Sequence, residues 1–85
     1  MKYVILLYQT STGYSAHCPD VDGVVAAGSS REETMANMRE AMEFHFEGMR
    51  EDGVAVPQPE TLADYVDLLV EGRLVVALPA GLKNP

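Results

Sequence analysis

The sequence predicts a single α+β domain in which three antiparallel strands precede a long helix, a short helix and a fourth strand, in the order βββααβ. Three observations lead to this prediction. Short β-rich runs separated by turn residues fill the first part of the chain, and a capping signal at Ser30 opens a long apolar stripe. Pro57 and Pro59 then separate that stripe from a second apolar region.

The composition is that of a folded acidic domain. The 85 residues suffice for one core, and 47% hydrophobic with 22% charged residues is far from the signature of disorder. A net charge of −7 argues against direct binding of nucleic acid, because phosphates would be repelled. The same charge favours a basic protein partner, or serves solubility alone.

The expected compartment is the cytoplasm. The single Cys18 excludes an intramolecular disulfide framework and fits a reducing environment. The apolar run from Tyr3 to Tyr8 is too short for a signal-peptide core or a membrane span, so no membrane partner is expected.

The first two strands are predicted to form a hairpin. Residues 2–9 are apolar on both parities, which indicates a strand buried on both sides. A polar turn at 10–13 follows, and residues 14–18 alternate as in a half-buried strand. Residues 19–23 are interpreted as a tight loop, and residues 24–27 as a short third strand closed by Gly28.

The long helix is predicted to run from about Arg31 to Glu51. Ser30 and Glu33 have the spacing of a capping box, and Gly53 is the expected left-handed terminator. The apolar residues along it recur at steps of three and four and predict one core-facing stripe, formed by Met35, Met38, Met42, His45 or Phe46, and Met49.

Beyond this strand-and-helix unit (1–53) we expect a proline-containing connector at 54–60. A short helix is predicted to begin at a Thr61 cap and to carry Leu62, Tyr65, Val66 and Leu69. Leu74 to Leu78 is predicted to form the fourth strand, so the helix and strand together occupy 61–79 and a loose tail occupies 80–85.

Candidate catalytic or metal-binding side chains are few. His17 and Cys18 are neighbours on a strand and point to opposite faces, so Cys18 is interpreted as a core residue. Asp20 and Asp22 are interpreted as turn formers. No glycine-rich phosphate loop, nucleophile elbow or paired metal-binding histidine motif is present, so we expect no catalytic residue, no metal and no cofactor.

Three helix residues have open interpretations. Glu43 and Glu47, one helical turn apart, fit a solvated acidic face better than a metal site, because the apolar stripe runs through Met42 and Phe46. His45 lies beside that stripe and is a core histidine, a pH-sensitive contact or a partner ligand, the first being favoured.

One combination of short motifs resembles the HicB antitoxin family over roughly residues 1–60. Each motif is weak alone, but their order and spacing together are fairly specific. The residues that carry the resemblance are Gly13, Tyr14, Ala16, Pro19, Asp20, Gly23, Gly28, Ser30, Glu33, Gly53, Pro57 and Pro59.

The resemblance implies a degraded ribonuclease H-like fold without catalysis. Ribonuclease H chemistry needs carboxylates on the first strand, and residues 2–9 contain neither Asp nor Glu. It also implies a partner, a small basic HicA-like toxin that cleaves messenger RNA. Residues 60–85 do not accommodate the DNA-binding module that many members carry, so the likeness is to a short form and operator binding is not expected.

The leading hypothesis is therefore an antitoxin of a type II toxin–antitoxin pair. The alternative is an orphan oligomeric scaffold or regulatory domain without a toxin, and a third, weaker hypothesis is a small hydrolase using His17 or His45. A homodimer or higher homo-oligomer is expected in either of the first two cases, because the first and fourth strands are apolar on both faces and one helix covers only one.

Overall fold

The computed structural model describes residues 1–69 and shows three antiparallel strands followed by one long helix. The strands are β1 (Leu6–Gln9), β2 (Tyr14–Cys18) and β3 (Val21–Gly28), and the helix is α1 (Arg31–Glu51). The strand order is β1-β2-β3, so β2 is central. The predicted order of three strands and a long helix is confirmed over this part of the chain.

The first strand is shorter than predicted, because it begins at Leu6 and not at Lys2. β1 pairs with β2 from Leu6 opposite His17 to Gln9 opposite Tyr14, and the Thr10 amide closes the turn by donating to the Gly13 carbonyl at 2.7 Å. The prediction of a strand from Lys2, buried on both sides, was wrong. Residues 1–5 extend past the paired length of β2, and α1 covers only one face of β1.

The third strand begins three residues earlier than predicted, at Val21, directly after the two-residue turn Pro19–Asp20. Val21 pairs with Cys18 and is buried, which draws this part of the expected loop into the sheet. The register then shifts, since His17 pairs with Val25. Gly23 lies in this irregular stretch at φ +85°, a conformation that suits glycine.

Both ends of α1 follow local signals. The Ser30 hydroxyl accepts from the Glu33 amide at 3.0 Å, as predicted, whereas the Glu33 carboxylate accepts from the amide and hydroxyl of Ser29 and not from the Ser30 amide. At the other end Gly53 has φ +72°, and its amide donates to the Arg50 carbonyl. The Val54 amide donates to the Met49 carbonyl, which completes a Schellman motif.

The core lies between α1 and one face of the sheet. Its buried apolar residues are Ala16, Cys18, Val21, Val24, Met38 and Met42, with Tyr3, Ile5, Leu7, Ala26, Ala41 and Phe46 packed around them. The predicted apolar stripe is correct at Met38 and Met42. It is wrong at Met35, which is 39% exposed, because the contact surface is rotated toward the fully buried Thr34, whose hydroxyl donates to the Ser30 carbonyl at 2.7 Å.

The predicted short helix is absent over the residues that the structure describes. Residues 61–69 have no regular secondary structure, and Leu62 and Tyr65 are 93% and 97% exposed. An isolated helix of this length is only marginally stable in water, and its predicted apolar side chains do not pack against the rest of residues 1–69. The predicted fourth strand at 74–78 and the tail at 80–85 lie outside the described residues.

Candidate protein interface

The exposed side of α1 is predominantly acidic. Because helical positions recur every 3.6 residues, six exposed carboxylates fall within one arc of about 100°. One of them, Glu33, accepts hydrogen bonds from Ser29 and is set apart from the other five. We call this surface the acidic helix face; it comprises Glu32, Glu40, Glu43, Glu47 and Glu51. Arg50 lies within the same arc and Arg39 lies just beyond its edge, so the surface keeps an excess of negative charge. As predicted, Glu43 and Glu47 face solvent.

The opposite surface of the domain is the side of the sheet turned away from α1. We call it the outer sheet face; it comprises Leu6, Tyr8, Ser15, His17, Val25 and Ala27. Its apolar members are exposed, with Tyr8 at 52% and Val25 at 75%. The rings of Tyr8 and His17 stack in parallel, with centroids 5.6 Å apart and an interplanar angle of 5°.

A third feature is an open groove beside the N-terminal segment. It has a volume of about 300 Å³ and is bounded by residues 1–5 on one side and α1 on the other. Four apolar side chains of α1 line the groove, namely Met35, Met38, Met42 and Phe46. The ring centroids of Tyr3 and Phe46 lie 5.5 Å apart, and both residues pack against the buried core. The groove therefore lies at the edge of the core.

The candidate catalytic or metal-binding side chains between residues 17 and 22 do not come together. Cys18 is buried in the core, as predicted, while His17 lies on the other face of the same strand and stacks on Tyr8. Asp22 is exposed at the start of β3. Within residues 1–69 no three His, Cys, Asp or Glu side chains are grouped as a metal site would require.

Asp20 lies in the β2–β3 turn, where it was expected, but its carboxylate also binds the connector. It accepts from the Thr61 amide at 2.9 Å, from the Thr61 hydroxyl at 2.8 Å and from the Glu60 amide at 2.9 Å. These hydrogen bonds, those from Thr61 first, lower the pKa of Asp20 because they favour the charged carboxylate. Sequence reasoning missed this contact, since no local signal links residues 40 positions apart.

The connector is held at a second point by the N-terminal segment. The Tyr3 hydroxyl donates to the Pro57 carbonyl at 2.6 Å. Together with Asp20, this bond fixes residues 57–61 against the domain. Thr61, predicted to cap a helix, instead uses its hydroxyl to donate to Asp20.

His45 is half-buried at the edge of the core. Its ring lies beside that of Phe46, with centroids 6.4 Å apart, and reaches over the start of β3 near Gly23. Of the three interpretations left open by the sequence, this position accords with a packing role.

The residues that carry the family resemblance occupy turns, caps and close approaches. Gly13 is one of them, because a side chain there would collide with the Gly28 carbonyl oxygen. Gly28 in turn lies against Thr34, where a Cβ would be 2.8 Å from both the amide nitrogen and the hydroxyl oxygen. These two glycines let the first hairpin turn, the end of β3 and the start of α1 meet.

No helix within residues 1–69 has both the length and the apolar character needed to cross a membrane.

Comparisons with known proteins found a family, two relatives and a solved structure of similar fold. The sequence profile described as "HicB_like antitoxin of bacterial toxin-antitoxin system" matches residues 3–77. The chain is 30% identical over 70 residues to a UPF0150 protein of Synechocystis, covering 81% of this chain and 89% of that protein. It is 37% identical over 67 residues to an uncharacterized 14.9 kDa protein from the rep-hol intergenic region of Haemophilus phage HP1, covering 79% of this chain.

The phage protein is longer, and the match spans about half of its length (50%). Among solved structures, a chain of the HicA3 and HicB3 toxin-antitoxin complex superimposes with a TM-score of 0.61 at 30% sequence identity. The superposition covers 69% of this chain and 70% of that one. With a profile match over most of its length and this agreement in fold, the chain belongs to the HicB-like antitoxin family of bacterial toxin–antitoxin systems.

Proposed function

We propose that this protein is an antitoxin that binds and neutralises a small basic HicA-like toxin, an enzyme that cleaves messenger RNA. The observation that carries the proposal is the 30% identity and shared fold with a chain taken from a HicA3–HicB3 complex. Neutralisation here means that the antitoxin covers the surface through which the toxin reaches RNA. It is a cytoplasmic binding function, with no cofactor and no direct contact between this chain and nucleic acid.

The surface proposed for the toxin is the acidic helix face. A basic nuclease carries positive charge where it holds RNA, and five exposed carboxylates on one side of α1 offer complementary charge. The net charge of −7 adds a long-range field that steers a cationic partner toward the domain. The carboxylates stand on a capped helix of 21 residues, so their spacing is held by a rigid element.

A catalytic role is not part of the proposal. In a ribonuclease H-like arrangement the first strand supplies the metal-binding carboxylates, and residues 2–9 contain neither Asp nor Glu. Such metal sites need several grouped carboxylates, and the first acids that follow in the sequence, Asp20 and Asp22, do not provide one. Asp20 already binds Glu60 and Thr61.

Co-expression with a small basic protein encoded by a neighbouring reading frame tests this function. We expect the two proteins to co-purify and the complex to lose the toxin's RNA-cleaving activity. A pair of proteins that elute separately, with the toxin still active on RNA, would contradict the proposal.

The surface assignment has its own test. Charge reversal at Glu43→Lys with Glu47→Lys is expected to slow association with the toxin by about tenfold or more at low ionic strength. The control is Asp22→Lys with Asp64→Lys, which makes the same change in net charge at exposed positions off α1. Equal slowing by both pairs would show that net charge alone matters and would contradict the acidic helix face as the docking site.

A second candidate is an orphan oligomeric scaffold or regulatory domain without a toxin. The observation that favours it is the exposed apolar surface of the outer sheet face, which suits self-association. A neighbouring gene for a basic, His-containing protein distinguishes the antitoxin from this alternative. Self-association is proposed in either case, as a homodimer or a higher homo-oligomer.

A further inference from the structure

The outer sheet face has the composition of an interface. A sheet covered by a helix on one side normally turns polar residues to water on the other. Here the row Leu6–His17–Val25 places an apolar residue on each side of His17, and Tyr8 lies in the next row. Leu6, Tyr8 and Val25 are all among the exposed large hydrophobic residues. Apolar surface that is contiguous across three strands usually marks a contact with another molecule.

The distribution of charge on the outer sheet face bears on the kind of molecule that binds there. The outer sheet face carries no formally charged residue in the paired rows of the described strands, apart from the titratable His17. A basic toxin would therefore gain no ion pair by binding there, whereas α1 offers it five carboxylates. Two copies of a chain with a net charge of −7 repel each other, and that repulsion is weakest where they meet through an uncharged surface.

The shape of the outer sheet face also suits the binding of a second copy of this chain. Tyr8 lies on β1, at one side of the sheet that residues 1–69 form, and its row continues across the sheet through the small residues Ser15 and Ala27. A large ring therefore lies beside a shallow strip on the same face. In a two-fold pair each protomer presents the same patch, so the Tyr8 ring of one copy can lie over the Ser15–Ala27 strip of its partner.

We propose that two copies of this chain associate through their outer sheet faces, with the Tyr8–His17 stack at the contact. The proposal rests on the proposed self-association and names its surface. It leaves the acidic helix face of each copy turned outward, on the side of the domain opposite the contact. Toxin binding and self-association then use different surfaces of the same chain.

The test is the mass in solution of the full chain at micromolar concentration, measured by light scattering after size exclusion. We expect twice the chain mass for the wild type. Tyr8→Lys and Val25→Lys should each weaken association at least tenfold and shift the mass toward one chain. Phe44→Lys is the matched control, because it replaces an exposed apolar side chain on α1 (78% exposed) and makes the same charge change. It should remain dimeric.

Circular dichroism and thermal unfolding establish that each variant is folded, and two positions with exposed side chains guard against a single misfolded variant. A monomeric wild type would overturn the proposal, as would folded Tyr8→Lys and Val25→Lys variants that stay dimeric. Toxin co-purification separates this proposal from the proposed function: Tyr8→Lys should still capture the toxin. If Tyr8→Lys loses the toxin as well, the outer sheet face is the toxin site and the proposal is overturned.

Discussion

Asp20 and Thr61 lie 41 residues apart in the sequence and are joined by two hydrogen bonds, from the Thr61 amide at 2.9 Å and from its hydroxyl at 2.8 Å. The Glu60 amide gives the same carboxylate a third bond at 2.9 Å. Asp20 stands in the two-residue turn between β2 and β3. The end of the connector is therefore attached to the turn between β2 and β3, at one end of the sheet.

The first prediction concerns this attachment. Asp20→Asn keeps one oxygen that can accept from both amides but removes the negative charge, which weakens these hydrogen bonds, so we expect faster hydrogen exchange at the amides of residues 60 and 61. Thr61→Val should have a smaller effect, because the backbone amides keep their acceptor. Exchange followed by NMR or mass spectrometry measures both. Asp22→Asn, at an exposed acid two positions away, serves as control, and unchanged exchange in Asp20→Asn would contradict the prediction.

The second prediction is a pH dependence of stability. Hydrogen bonds from Thr61, then from Glu60, lower the pKa of Asp20, and those from Ser29 lower the pKa of Glu33. A carboxyl with a lowered pKa in the folded state binds fewer protons there than in the unfolded state. Its contribution is fully present above the ordinary pKa near 4 and is lost as the pH falls through the lowered value.

Urea unfolding at pH 7, 5 and 3 checks this expectation. The difference in midpoint between the wild type and Asp20→Asn should be constant from pH 7 to pH 5 and should shrink toward pH 3. A difference that grows on acidification would mean that the carboxylate does not stabilise the fold in its charged form.

The elements that the sequence predicted correctly are those specified by neighbouring residues. Ser30 and Gly53 mark the ends of α1 because a cap needs partners only three to five positions away. The second strand was predicted correctly because the alternation of residues 14–18 reflects a single buried face.

The predictions that were wrong concern features that depend on residues far apart in the sequence. β3 starts at Val21 because Cys18 pairs with it and Gly23 absorbs the shift in register, and turn propensity alone does not reveal such a shift. Leu62 and Tyr65 have helical spacing, but periodicity does not supply the surface that a short helix needs. The Asp20–Thr61 contact has no sequence signal at all.

The third prediction tests the helix cap. The Ser30 hydroxyl accepts from the Glu33 amide, and Ser30→Ala leaves that amide without its partner. We expect a loss of about 1 kcal/mol in the free energy of unfolding. Ser30→Asp is the matched control, since it retains an acceptor of similar reach and should stay near the wild type. Similar losses in both variants would show that the cap does not depend on the acceptor.

The fourth prediction concerns the core side of α1. Met38 is 1% exposed, and Met38→Ala should lower the free energy of unfolding by about 2–5 kcal/mol, because a cavity forms where the side chain packed. Met35→Ala makes the same chemical change at a 39% exposed position and should cost much less. Chemical denaturation of the two variants gives the comparison. Equal losses would mean that Met35 is a full member of the core, as the sequence alone had suggested.

The last prediction compares alanine substitutions at two glycines, Gly13 and Gly48. Gly13 does not have a positive φ, so the backbone conformation itself would accept alanine. The obstacle is space, because the new Cβ would collide with the Gly28 carbonyl oxygen and lie 2.9 Å from the Ser29 Cα, both of them backbone atoms that cannot rotate away. Gly13→Ala should therefore destabilise the fold by about 1–3 kcal/mol, as overpacking does.

Gly48 lies inside α1, and among residues 1–69 no atom of another element lies within 4 Å of the place that an alanine methyl group would take. Gly48→Ala should raise the free energy of unfolding by about 0.5–1 kcal/mol, because alanine restricts the unfolded chain and favours the helix. Opposite signs for the same substitution, measured by urea unfolding, would establish that Gly13 is needed for the close approach of the first hairpin to the start of α1. A neutral Gly13→Ala would show that this approach can relax, and with it the junction that Gly13 and Gly28 form.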